Sequence, residues 1–216
     1  AGTTAVTIAG STNTAAGGTV LIGSPTNILL RLFDVSNVNL RDLTLRGAAR
    51  PLLMRRAENL RLERVDIAGG QVAAEHDGSR HVEWSQSSIR EATQFGLRIS
   101  GSSNVSWNSG VLWSNQVAVM FNASTNYFGL SVEQQNVLLL SNTVVGAFGS
   151  NAVVYDARSS HRLFADHNAF FRTNGAALAT VANTNGPVAL LFASLERWSS
   201  QSGNDRSSLT QVDPLL

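Results

Sequence analysis

The sequence predicts an all-β chain wound as a parallel β-solenoid, with three strands per coil and about seven coils. Three observations carry this. The first is a pattern written twice between Asn37 and Gly70, where Val38-x-Leu40-x-x-Leu43-x-Leu45 is succeeded by Leu60-x-Leu62-x-x-Val65-x-Ile67. The offset is about 22 residues at every position, and fixed-period self-similarity is the signature of a repeat architecture. The second is the alternation within each half, whose period of two marks strands with one buried face. The third is the two-residue skip between Leu40 and Leu43, which reads as a corner that sends the next strand onto a different wall.

Four further copies extend the series: Val82-x-Trp84-x-x-Ser87-x-Ile89, Val105-x-Trp107-x-x-Gly110-x-Leu112, Leu138-x-Leu140-x-x-Thr143-x-Val145 and Leu163-x-Ala165-x-x-Asn168-x-Phe170. A leading strand precedes several copies: Leu30-x-Leu32, Leu52-x-Met54, Leu97-x-Ile99 and Val153-x-Tyr155. At about 3.3 Å per residue, three short strands close a coil around one layer of inward side chains. Stacked coils share one core, and no single coil folds alone. Leu40, Leu62, Trp84, Trp107 and Leu140 are expected to point inward, with Trp84 and Trp107 stacked as core.

Composition agrees. Of 216 residues, 43% are hydrophobic and 14% charged, with 18 glycines, which suits a chain that turns three times per coil. A formal charge of +1 argues against nucleic acid, which needs a concentrated basic face. All the basic residues are arginine, and no apolar run is long enough to span a membrane. There is no cysteine, so disulfides do not mark the compartment. Ala1 opens directly into strand-like sequence, and the chain reads as a processed or excised piece with further domains beyond it.

One domain is expected over 1–216. Residues 1–27 form an irregular first coil, with strand pieces at Val6-x-Ile8 and Val20-x-Ile22. Regular coils occupy 28–175. Pro51 stands at a strand's first residue, where proline is permitted. The 33-residue spacing before Leu138 predicts that Asn122 to Gln135 leaves the coil as a loop beside any ligand site. Residues 176–216 hold a last coil and a tail. Pro187 to Ala193 reads as an apolar strand, and Ser194 to Gln201 as a helical turn capped by Ser194.

From Ile28 to Phe171 the coil pattern resembles the right-handed parallel β-helix superfamily of pectate lyases, alginate lyases and polygalacturonases. Ser194-Leu195-Glu196-x-Trp198, Gly203-x-Asp205-x-x-Ser208 and Asp213-Pro214-Leu215 are similar to a segment that comes after the coils in many secreted bacterial β-helix proteins. The right-handed sense comes with this resemblance and agrees with the usual sense of parallel crossovers. The resemblance implies a secreted or cell-surface protein that binds or cleaves polysaccharide, acidic polysaccharide included.

Outward residues are placed by the register. Arg31, Leu53, Glu75 and Arg98 share one column of the leading wall, and Phe33, Arg55, Asp77 and Ser100 the next. In pectate-lyase-like enzymes such a wall takes an anionic polysaccharide. Arg98 beside Glu75 and Asp77 is then the closest match to a catalytic group with an arginine base. Arg31 and Arg55 would bind a uronate carboxylate, and Glu75 and Asp77 could hold Ca²⁺. The other reading of the same wall is an interstrand charge ladder, as with Arg61 and Glu83 on the second wall. Tyr127 and Phe128, in the extra loop, are candidates to stack on a sugar ring. Register points His76 inward as a core histidine.

A second constellation comprises Asp156, Arg158, His161, Asp166 and His167, with Asp166-His167 at a corner. Asn104, Asn126 and Asn168 read as turn residues or an internal amide ladder. The lysine base of β-helix alginate lyases and chondroitinases has no counterpart here, nor do the polygalacturonase motifs. Two functional readings stand: a carbohydrate-active or carbohydrate-binding β-helix, and a non-catalytic structural, adhesin or assembly solenoid.

Overall fold

In a computed structural model the protein is described over residues 5–11, 18–122, 137–141, 143–156, 162–172, 177–182, 190–192, 194–202 and 206–210. Strands β1 (Val6–Ala9) and β2 (Thr19–Ile22) open the chain. Next are β3 (Ile28–Phe33), β4 (Ser36–Arg46), β5 (Arg50–Arg55), β6 (Glu58–Ala68), β7 (Val72–Asp77), β8 (Arg80–Ser85) and β9 (Ser88–Arg90). Then come β10 (Phe95–Ser100), β11 (Ser103–Asn108), β12 (Val111–Asn122), β13 (Val137–Ser141), β14 (Val144–Asp156), β15 (Arg162–Asp166), β16 (Ala169–Arg172) and β17 (Ala177–Ala182). β18 (Leu190–Phe192), α1 (Leu195–Ser202) and β19 (Leu209–Thr210) complete it.

Parallel pairing sorts the strands into three walls. The leading wall runs β3, β5, β7, β10, the second half of β12, the second half of β14, and β17. The second wall runs β1, the first half of β4, the first half of β6, β8, β11, β13 and β15. The third runs β2, the remaining halves of β4 and β6, β9, the first halves of β12 and β14, β16 and β19. The register is that of the repeat: Leu40 pairs Leu62, and Leu62 pairs Trp84. Leu40, Leu62, Trp84, Trp107 and Leu140 are all buried, as their inward facing requires. Trp84 and Trp107 stack with ring centroids 4.7 Å apart.

The corners are made by single residues in the left-handed region. Between the second and third walls these are Asp42, Arg64, Gln86, Ser109 and His167, with φ between 49° and 57°. Such a residue turns the chain but takes its neighbour's amide out of the strand ladder. A short polar side chain of the next coil, pointing inward, accepts that amide. Val65 N donates to Ser87 Oγ (3.1 Å), Ser79 N to Ser102 Oγ (2.9 Å), Ala92 N to Asn115 Oδ1 (3.0 Å) and Thr143 N to Asn168 Oδ1 (3.1 Å). Buried polar atoms in an apolar core need partners, and here they are supplied one coil away. Asn168 is therefore an internal corner residue, whereas Asn104 is exposed near the start of β11, with φ 50°.

Gly110 occupies the corner column of Val65 and Ser87. A Cβ there would lie 2.4 Å from Trp107 Nε1 and 2.6 Å from Ser87 O, a rigid ring and a backbone oxygen. Gly110→Ala is expected to destabilise the fold by about 1–3 kcal/mol, read as a lower denaturation midpoint. An unchanged midpoint would contradict this packing.

The C-terminal end departs from expectation. β18 breaks the parallel order by pairing with β17 antiparallel, through Ala179–Phe192, Thr180–Leu191 and Val181–Leu190, whereas β19 pairs with β16 in parallel. Too few residues separate Ala182 from Leu190 for a circuit of about 22, and only a hairpin return needs so short a link. α1 comes next, capped as expected: Arg197 N donates to Ser194 Oγ (3.2 Å). Trp198 is buried in the core cluster with Leu195 packed against it. Among the described residues no helix is long and apolar enough to cross a membrane.

Candidate functional site

The leading-wall residues lie in the expected columns. Arg31 pairs Leu53, Leu53 pairs Glu75, and Glu75 pairs Arg98, with Arg55, Asp77 and Ser100 aligned beside them. The wall is not an open groove at this point: Glu75 is 6% and Asp77 7% exposed, and Leu53 and Ser100 are also buried. Each carboxylate faces arginine. Glu75 Oε1 lies 3.4 Å from Arg98 Nη1 and its Oε2 3.4 Å from Arg50 Nη1. Asp77 Oδ2 accepts from Arg55 Nε at 2.6 Å. Arg31 is exposed. Among the described residues no three His, Cys, Asp or Glu side chains gather to hold a metal. Two carboxylates already countered by arginine do not make the oxygen-rich shell that Ca²⁺ takes.

These pairs have a measurable consequence. In Arg98→Ala, Glu75 keeps, among the described residues, only Arg50 as an ion-pair partner. The loss should exceed the roughly 1 kcal/mol ceiling of an exposed pair. It should fall short of the roughly 3–5 kcal/mol of a fully buried one, because the Arg98 side chain is 26% exposed. Denaturant titration at neutral pH reads this directly, and a loss outside those bounds contradicts the pairing.

The same pairing extends over the other walls at or near the coil offset. Arg56 pairs Asp34 and lies over the Phe33 ring, 4.5 Å from its centroid. Arg64 Nε donates to Asp42 Oδ1 (2.6 Å) and holds that carboxyl below its ordinary range by this hydrogen bond. Arg80 pairs Glu58, and Arg90 pairs Asp66.

His76 is wholly buried, and Trp84 Nε1 donates to its Nε2 at 3.1 Å. Burial pushes its pKa down to about 3. The bond makes Nε2 the acceptor and leaves the ring proton on Nδ1. Neutral and enclosed, His76 is a core residue, as its register implied.

In the second constellation Asp166 Oδ1 accepts from Ser207 N (2.7 Å) and from His167 N (2.9 Å). The Ser207 backbone amide is the main cause of its lowered pKa. Asp166 therefore serves a corner. Asp156 ends β14. Arg158 and His161 lie outside the described residues, as do Asn126, Tyr127, Phe128 and the rest of 123–135 of the expected loop.

The second wall carries a site that the sequence did not lead us to expect. A shallow concavity of about 250 Å³ is lined by Thr7, Asn39, Leu40, Arg41, Arg61 and Glu63. Another of about 400 Å³ is lined by Arg61, Glu63, Glu83, Trp84, Ser85, Ser106 and Asn108. Shared Arg61 and Glu63 join the two into a trough along the solenoid. It follows one outward column in register, Thr7, Asn39, Arg61, Glu83 and Ser106, and beyond the trough's lining that column continues through Leu139 and Phe164. Arg61 Nη2 and Nε donate to Glu83 Oε2 at 3.0 and 3.2 Å, and Glu63 pairs with Arg64. At one edge Asn108 Oδ1 accepts from Ser109 Oγ (3.2 Å) and Ser141 Oγ (3.3 Å). Carrying the coil offset through the longer spacing to Leu139 and Phe164 would have exposed this column from sequence alone.

Fold and side chains together define a parallel β-solenoid with arginine–carboxylate ladders on its walls and a polar trough along one of them. No protein-family model matches the chain, and no curated protein matches it. Among solved structures it is similar to an alginate lyase from Paenibacillus sp. str. FPU-7. The two are 11% identical, the match covers 89% of this chain and 78% of that one, and the TM-score is 0.40. A likeness at that level carries no argument about the site.

Proposed function

We propose that this protein binds polysaccharide, with the glycan lying lengthwise in the second-wall trough. The observation that carries the reading is the trough's continuity. One column offers Asn39, Arg61, Glu83 and Ser106 on consecutive strands, with Ser85 and Asn108 along its edge. Strands about 4.8 Å apart present a polar group at each step, which suits a polymer of repeating hydroxylated rings. The resemblance of the coils to pectate-lyase-like β-helices supports the same class of ligand. An extracellular or cell-surface location belongs to the proposal, since that is where such polymers are met.

The proposal is one of binding. Cleavage needs a group free to take a proton and another to meet developing charge. The trough's acids, Glu63 and Glu83, are each held by an arginine. Ser106→Trp tests the reading, because Ser106 faces outward and is only partly buried, so an indole there fills the trough without disturbing the core. Titration of a panel of soluble polysaccharides, charged and uncharged, should give saturable binding to the wild type and at least tenfold weaker binding to Ser106→Trp, with melting temperature held. Absence of saturable binding across the panel would favour the purely structural or adhesin solenoid.

A further inference from the structure

We infer that the glycan is a neutral one, and that Leu139 and Phe164 form an apolar platform on which its sugar rings stack. This rests on the binding reading and narrows it to a ligand class. Charge is the first observation. In and beside the trough Arg41, Arg61 and Arg64 stand against Asp42, Glu63 and Glu83. Glu83 is held by Arg61, Glu63 and Asp42 by Arg64, and Arg41 acts on Asp42 through space. Three arginines against three carboxylates leave no net charge. A polyuronate needs guanidinium groups free to take its carboxylates in a bidentate grip. Here Arg61 and the neighbouring Arg64 are already committed, which leaves Arg41 at one end as the lining arginine without an ion pair among the described residues, and Glu63 and Glu83 would repel the chain. An uncharged glycan meets only hydrogen-bonding groups.

The second observation is the continuation of the same column beyond Ser106. Leu139 is 47% and Phe164 52% exposed, on adjacent paired strands about 4.8 Å apart. Two large apolar side chains together, continuing a polar trough, form a small apolar surface of defined position. A neutral pyranose ring has hydroxyls at its rim and C–H groups on its faces. Its rim suits Asn39, Glu83, Ser106 and Asn108, and its face suits the Phe164 ring. The extended column thus matches both aspects of one kind of polymer.

Calorimetric titration with cellohexaose, mannohexaose and xylohexaose, beside a hexameric oligogalacturonate, decides the matter when run at low and high salt. At least one neutral hexamer should bind at least tenfold more tightly than the galacturonate, with a Kd that salt barely moves. Phe164→Ala should weaken that binding at least tenfold at unchanged melting temperature, while Phe164→Tyr, which keeps the ring, restores most of it. Tighter, salt-sensitive binding of the galacturonate overturns the neutral class while leaving polysaccharide binding intact. Neutral binding that Phe164→Ala does not weaken overturns the platform. Binding of none of the four overturns this inference, and the wider polysaccharide panel then decides the binding reading by itself.

Discussion

Leu62→Asp abolishes folding. Leu62 has no exposed surface and sits between Leu40 of the preceding coil and Trp84 of the next. A carboxylate placed there has only apolar neighbours, and burying a charge without a partner costs far more than the lost contact. Domains of this size are held by about 5–15 kcal/mol in total, so one such residue removes most of it. Because each coil is stabilised by its neighbours, the defect at Leu62 unseats both coils it touches. Circular dichroism should show no cooperative melt for Leu62→Asp. Leu62→Ala should retain one, lowered by about 2–5 kcal/mol. A native melt for the aspartate variant would contradict the inward register of the whole column.

Stability falls as the solution is acidified from about pH 6.5 towards pH 3, and His76 is the main cause in that window. In the fold its pKa is pushed down to about 3 from the ordinary 6.5, so the neutral ring is the form the fold accepts. Above pH 6.5 the ring is neutral folded or unfolded, and its contribution is fully present. Below pH 6.5 the unfolded chain binds a proton that the folded one refuses, and the contribution is lost at about 1.4 kcal/mol per pH unit. The whole window is worth about 5 kcal/mol by that slope. His76→Gln keeps an acceptor for Trp84 Nε1 and does not titrate. Its unfolding free energy, measured by denaturant at steps of pH, should be much flatter between pH 6.5 and 3. Asp42 and Asp166, whose carboxyls are lowered, lose their contributions in both proteins at the acid end. Parallel curves for wild type and variant would place the acid sensitivity elsewhere.

What the sequence showed of this fold it showed through period. An offset of about 22 residues set the strand partners of Leu40, Leu62 and Trp84, and alternation set their facing. Both are properties of the backbone that any residue in the column must obey. The same arithmetic put Glu75 opposite Arg98 and His76 inside. It did not show the depth of the wall, because burial of an outward residue depends on what lies over it, and Glu75 and Asp77 are nearly covered. The inward Ser87, Ser102 and Asn115 are polar residues within an apolar core. Their meaning needs three dimensions, since each serves an amide of the preceding coil. The trough was half visible. Arg61 and Glu83 were placed together on the second wall, but the long spacing before Leu138 hid that Leu139 and Phe164 extend their column. The antiparallel β18 lay where the repeat had faded, and the short link before Leu190 was its only sign.

Whether the second wall meets the glycan is read most directly by amide chemical-shift mapping on the labelled protein, titrated with the tightest-binding oligosaccharide. The amides of Arg61, Glu83, Ser106, Asn108 and Leu139 should move together and saturably, while those of Glu75, Asp77 and Arg98 stay in place. Shifts centred on Glu75 and Arg98, with the second wall silent, would contradict binding in the trough.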